Sequence, residues 1–244
     1  MAAERIEPGA GSIVERLTYV RNRIADASAR SGRDPAAVRL VVVTKDVDVR
    51  RAAEALAAGA TDLGEKRARE FTAKIDALAG EAPQPRWHFI GTLQRNKVKA
   101  VVGAANLIHS VDSISLGRAV AARAEALGIT QDVLLEVNVS GEASKHGLES
   151  GATADALGSL AGEPGLRIRG LMTIAPAGAA SVARRAFTDL RELRDKLRGT
   201  LGGAELDELS MGMTSDFEEA IEEGATIIRV GTAIFGARVE AGDR

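Results

Sequence analysis

LVVVTK at residues 40–45 and IIRVGT at residues 227–232 decide how this chain is read. Both are short apolar runs rich in β-branched residues, the signature of buried strands. Each also carries one cation in apolar company, Lys45 in the first and Arg229 in the second. Alternate residues of a strand share a face, so Lys45 is expected beside Val43 and Val41, and Arg229 beside Ile227 and Gly231. Both charges would then point where an apolar core belongs. Stripping water from an unpaired cation is costly, so such residues persist where a partner or a ligand compensates them.

Outward from these two runs, the pattern repeats. TDLGE (61–65), WHFIG (87–91), LIHSVD (107–112), VLLEVN (133–138), IRGLMTI (168–174) and ELSMG (208–212) bring the candidate strands to eight. Helical spacings lie between them, such as Phe71, Ile75 and Leu78, then Val182, Ala186, Leu190, Leu193 and Leu197, and Gly59, Gly128 and Gly224 sit where helices should end. Strict alternation of strand and helix implies parallel strands joined by right-handed crossovers. Eight such units close into a barrel whose usual size, roughly 250 residues, suits a chain of 244. About a dozen residues follow the last run, too few for a covering helix. A helix is spare at the other end: Ser12 with Glu15 reads as a capping box, and Ile13, Leu17, Val20 and Ile24 recur at helical spacing. The expected fold is therefore α/β, a single-domain (β/α)8 TIM barrel over residues 1–244, with an extra N-terminal helix at about 12–30 packed in the vacant place and the barrel at about 40–238. A doubly wound open sheet is the rival, weakened by eight strands and no GxGxxG after the first.

Composition narrows the function. With 45% hydrophobic residues the chain can build a large core, and 32 basic against 34 acidic residues leave a net charge of −2, no footprint for nucleic acid or an anionic membrane. No apolar stretch approaches the roughly 20 residues of a membrane span, and the first residues lack the apolar centre of a secretory signal, so a cytoplasmic location is expected. The absence of cysteine removes disulfides, thiolate metal sites and cysteine nucleophiles. His88, His109 and His146 have no metal-ligand spacing, and no metal is expected. Small ligands become the natural partners.

In a barrel, function gathers at the C-terminal ends of the strands, with phosphate often held after strands seven and eight. There the chain offers SMGMTSD (210–216), with Ser210, Gly212 and the hydroxyls of Thr214 and Ser215, and VGTAIFG (230–236), with Gly231 and Thr232. Together they make a candidate anion cup. The bland alternative is that Ser215 with Glu218 merely caps a helix, and Asp216, Glu218 and Glu219 put negative charge in the same turn. Lys45 ends strand one at the same mouth. A partly desolvated lysine has a lowered pKa and can form a Schiff base with an aldehyde, although a lone lysine at a strand end more commonly snorkels to water. For Arg229 the alternative is a buried ion pair with Glu65 or Glu136. His88 reads as a satisfied core histidine, Met172 as core that touches ligand, and Lys145, in the polar loop 140–147, as a second amine without a rigid strand behind it.

WHFIGTLQRNK (87–97), SMGMTSD and IRVGTAIFG (228–236) resemble the pyridoxal phosphate homeostasis protein family, relatives of the barrel domain of alanine racemase, over about Leu40 to Arg238. The resemblance implies an alanine racemase N-terminal-domain-like barrel with pyridoxal 5′-phosphate (PLP) on Lys45 as a Schiff base. It places Arg229 at the pyridine nitrogen and phosphate contacts on Thr214, Gly231 and Thr232, with Ser210 and Met172 added as further cofactor-binding candidates. It also implies cofactor homeostasis and delivery to PLP-dependent apoenzymes, without established turnover, by a monomer or weak homodimer. The chain departs from the family pattern at Val47, where a second lysine is frequent, at Lys66, where GEN reads GEK, and at Thr214, where SMGMS reads SMGMT.

The alternative is a PLP-dependent amino-acid racemase. Two-base racemisation needs a proton donor on each face, which alanine racemase completes with a tyrosine from an additional β domain. No such domain is expected here, and the single tyrosine, Tyr19, falls in the opening helix. An aldolase-type barrel using Lys45 on a sugar phosphate would leave Arg229 without a role.

Overall fold

A computed structural model describes residues 11–81, 83–142, 146–198 and 205–236. Lys145 and Arg238 lie outside them. The strands are β1 (Arg39–Val43), β2 (Asp62–Glu65), β3 (Arg86–Phe89), β4 (Leu107–Val111), β5 (Gln131–Asn138), β6 (Leu148–Glu149), β7 (Leu166–Met172), β8 (Glu208–Ser210) and β9 (Ile227–Val230). The α-helices are α1 (Ile13–Arg30), α2 (Val49–Ala57), α3 (Ala68–Ala77), α4 (Val98–Val101), α5 (Ile114–Ala126), α6 (Thr153–Leu160), α7 (Ala180–Arg198), α8 (Phe217–Glu222) and α9 (Thr232–Phe235).

All pairings are parallel, and they run in a circle. β1 lies between β2 and β9, with Val42 opposite Leu63 and Leu40 opposite Ile228. β4 meets β5 at Ile108 and Val133, which closes an eight-stranded (β/α)8 barrel. Among the described residues the ninth strand, β6, pairs only with the end of β5, Leu148 opposite Val137. Two residues carry no readable alternation, and the sequence shows a polar loop there.

Alternation sorts the side chains into two cores. Leu40, Val42, Ile228 and Val230 face outward to the helices, while Val41, Leu107, Leu134, Met172 and Ile227 form a separate apolar cluster about the barrel axis. Trp87 and Phe89, on the outward parity of β3, meet Phe71 of α3 edge to face at 5.9 and 5.7 Å. His88 takes the inward parity.

The capping box forms as read: Glu15 N–H donates to Ser12 Oγ and Ser12 N–H to Glu15 Oε2. α1 buries Ile13, Leu17, Val20 and Ile24 and packs on α8 and α9, filling the place that the four-residue α9 cannot cover. Arg23 and Arg30 of α1 pair with Glu218, Arg30 also with Glu222, and Arg33 donates to the carbonyls of Ile221 and Ala225. These bonds correct the reading of Ser215 and Glu218 as a capping box. Asp216 occupies the N-cap of α8, its carboxylate takes the Met213 N–H at 2.6 Å, and Glu218 turns toward α1. The face of α7 shifts by one residue from its expected start: Ala183 is buried and Val182 exposed.

Candidate functional site

At the C-terminal ends of the strands lies a cavity of about 880 Å³, within the roughly 300–1,000 Å³ usual for small-molecule sites. Five of the seven residues singled out in the sequence line it: Lys45, Thr214, Arg229, Gly231 and Thr232. Met172 and Ser210 do not. Met172 belongs to the axial apolar cluster, and Ser210 is fully buried with its hydroxyl against Arg229.

Lys45 reaches the cavity by a route the alternation did not foresee. β1 ends at Val43, and the chain turns over Thr44 to Val47, closed by Val47 N–H donating to Thr44 O at 3.0 Å, with Asp46 at a φ of 60°. Thr44 is buried and Lys45 exposed, so a turn presents the amine at the mouth where a continued strand would have driven it inward. Thr44 Oγ1 donates to Glu65 Oε1 at 3.0 Å, and Lys74 of α3 donates to both Thr44 O and the same Glu65 carboxylate. The Glu65–Lys74 pair is buried. Glu65 is therefore engaged by Lys74, which removes it as a partner for Arg229. The signal for Lys74 was available: it sits among Phe71, Ile75 and Leu78 on the apolar face of α3.

Arg229 comes from the inward parity of β9. Its guanidinium donates to Ser210 Oγ and, at 2.9 Å, to Thr173 O. Burial lowers its pKa to about 10, with Glu136 and Asp216 opposing the shift, so it stays a cation at neutral pH. Glu136 of β5 lines the same cavity, and burial, with help from Asp112, raises its carboxyl to about 7. Burial also raises Asp216, although the Met213 N–H bond and Arg229 favour its ionised form.

The β8 and β9 ends form one cup. Thr214 Oγ1 accepts the Ala233 N–H at 3.4 Å, tying the two loops together, and the Thr232 hydroxyl stands at the start of α9. Gly231 lies where a Cβ would come 3.1 Å from Val43 O, so a side chain would push the cup off β1. Glu218, bound to Arg23 and Arg30, takes one of the expected negative charges away from the cup. Lys66 lines the cavity as a second amine, seated close to Gly91, where a Cβ would lie 2.7 Å from Lys66 Cα. Among the described residues no cluster suits a metal ion, and no helix is long and apolar enough to cross a membrane.

His88 is a satisfied buried histidine, bonded to Asp62 and to His109, and His109 is bonded in turn to Ser210. Sequence reasoning missed His109 and Asp62. Each is a single polar residue on a separate strand, and only the register of the closed barrel brings them together.

The chain matches the family described as alanine racemase, N-terminal domain, over residues 16–239. A pyridoxal phosphate homeostasis protein from Aquifex aeolicus is 43% identical over 225 residues, covering 92% of this chain and 97% of that one. Its counterpart from Pseudomonas aeruginosa is 42% identical over 231 residues, with 93% and 96% covered. The structure of PipY from Synechococcus elongatus, with PLP bound, superposes with a TM-score of 0.83 at 35% identity, over 92% of this chain and 100% of PipY. With identity at this level over nearly the whole of each chain, this protein belongs to the pyridoxal phosphate homeostasis proteins of the alanine racemase N-terminal domain family.

Proposed function

We propose that this protein holds pyridoxal 5′-phosphate in the cavity above the barrel, joined to Lys45 as a Schiff base, and that it stores and delivers the cofactor to PLP-dependent apoenzymes in the cytoplasm without turnover of its own. One observation carries the reading: an amine, a buried permanent cation and a hydroxyl-bearing cup line a single cavity of about 880 Å³.

That donor set fits the cofactor's three polar features. Lys45 supplies the nucleophilic amine for an aldehyde. Thr214, Thr232 and the backbone beside Gly231 suit a phosphate, with Gly231 allowing close approach. Arg229 suits the pyridine nitrogen as a donor only, because a guanidinium does not give up its proton at neutral pH. The bound cofactor would supply an electrophilic carbon and a ring able to delocalise charge. Arg229 restrains the second capacity, since a ring nitrogen that accepts from a guanidinium stays unprotonated and draws electrons weakly. An aspartate there would do the reverse.

The racemase alternative requires a second proton donor facing Lys45. Tyr19 does not line the cavity; it lies on α1, with Arg23 Cζ 5.6 Å from its ring. Holding and releasing the cofactor asks for no such donor.

Borohydride reduction of the PLP-loaded protein followed by peptide mapping tests the assignment. The expected label is on Lys45. A label on Lys66 or Lys145 in the unaltered protein would sink it.

A further inference from the structure

Five buried polar residues on five strands form a continuous line through the barrel. Asp62 Oδ1 lies 2.9 Å from His88 Nε2, His88 Nδ1 lies 2.9 Å from His109 Nε2, and His109 Nδ1 lies 2.8 Å from Ser210 Oγ, which contacts Arg229 Nη1. Each member is at most 5% exposed. Arg229 lines the cavity at the C-terminal ends of the strands, and Asp62 lines a second cavity of about 720 Å³ at their N-terminal ends. Asp62 is held there by a bidentate contact from Arg86, with Nε at 2.9 Å and Nη2 at 2.8 Å.

With both rings neutral, the two ends dictate every proton between them. An ionised Asp62 only accepts, so His88 must carry its proton on Nε2. His88 Nδ1 is then an acceptor, and His109 must present N–H from Nε2. His109 Nδ1 is in turn an acceptor, so the Ser210 hydroxyl donates to it. The Ser210 oxygen is left with lone pairs for the guanidinium, which only donates. One arrangement satisfies all four contacts, with both rings neutral. An extra proton on either ring would reverse the last link, with His109 Nδ1–H donating to Ser210 Oγ and the hydroxyl proton turned out of the line. Burial lowers the affinity of both histidines for that proton, and for His109 the Arg229 guanidinium adds to the effect.

We infer that Asp62, His88, His109 and Ser210 are positioning residues for Arg229: the carboxylate at one end of the barrel fixes two imidazole tautomers and a hydroxyl rotor, and these fix the guanidinium at the other. With the hydroxyl proton committed to His109, the Ser210 oxygen cannot turn a donor toward Arg229. Thr173 O takes a second N–H, so the cation is pinned from two sides while its remaining donors serve the cavity. Bonds in such a line polarise one another and strengthen in a low-dielectric interior.

The assignment of Ser210 as a positioning residue rests on the proposed cofactor site, whereas the tautomers do not, and the test separates them. In the cofactor-free, 15N-labelled protein, two of the three histidines should show neutral rings protonated on Nε2 at pH 7, with His88→Asn and His109→Asn used for assignment. A ring protonated on Nδ1, or on both nitrogens, at either position overturns the inference. For the loaded protein, Ser210→Ala should weaken PLP binding about tenfold or more, in line with loss of a charge-assisted bond that holds the guanidinium, and should move the absorption band of the bound cofactor. Ser210→Thr, which keeps the hydroxyl, should restore both. Unchanged affinity and spectrum in Ser210→Ala would show that the line is structural only. Failure of the unaltered protein to bind PLP would overturn the proposed function and leave the tautomer measurement to decide the inference.

Discussion

Thr214 and Thr232 come from different strand ends, yet both hydroxyls border the space assigned to the phosphate. Charge-assisted hydrogen bonds are worth about 1.5–3 kcal/mol each, so pyridoxal should bind far more weakly than its phosphate ester. Both ligands carry the aldehyde, so Lys45 cannot create that difference. Changing Thr214 and Thr232 together to valine should erase the preference in a spectroscopic titration and leave pyridoxal binding nearly intact; equal affinities in the unaltered protein would show the phosphate site to be elsewhere. Glu136 gives a second handle, through pH. Its carboxyl sits at about 7 in the folded cavity against an ordinary value of 4.5. A group raised on folding contributes stability that is fully present below its unfolded pKa and is lost as pH rises through the folded one. Stability of the cofactor-free protein should therefore fall between about pH 4.5 and 7 by an amount on the order of 3 kcal/mol from this residue. Glu136→Gln should flatten that decline in urea melts at pH 5 and 7.5. The same slope in both proteins would mean that Glu136 is hydrated in the fold.

Turns and short pairings between elements proved harder to read than the elements themselves. Eight apolar runs announced eight barrel strands because a strand covered on both faces is nearly all apolar. The turn at Thr44 was hidden, since LVVVTK continues its parity through Lys45 and nothing local marks the stop. What makes the stop is tertiary: Lys74 of α3, 30 positions on, bonds the Thr44 carbonyl and the Glu65 carboxylate under the turn. Removing one partner of a buried pair leaves the other charged and unsolvated, at a cost of about 3–5 kcal/mol. Lys74→Ala should lose that much stability in chemical denaturation. It should also weaken PLP binding through the Lys45 turn, and a variant that loses stability alone would separate the pair from the site. The histidine line was illegible for a related reason. Periodicity shows which face a residue takes, and His88 showed its inward parity, but which inward residues touch depends on stagger between strands up to 101 positions apart, the separation of His109 from Ser210.

The molecule as a whole closes by packing α1 on α8 and α9. The spare helix and the missing one were both visible as a count, so the placement of α1 against α8 and α9 followed from topology before any contact was known. Its polar partners carry no local signal: Arg23 and Arg30 of α1, and Arg33 beyond it, each bond a residue nearly two hundred positions away, Glu218 for Arg23 at a separation of 195. That separation has a consequence in time. During synthesis α1 emerges well before α8 and α9, so its apolar stripe of Ile13, Leu17, Val20 and Ile24 lacks most of its native cover until they follow. Contacts so distant in sequence form slowly, because the loop must close before they are rewarded. A growing chain of this design therefore carries a partly covered apolar stripe while the barrel strands are made. A lone helix has low intrinsic order in water, so α1 becomes firmly held only when α8 and α9 arrive and the ring can shut.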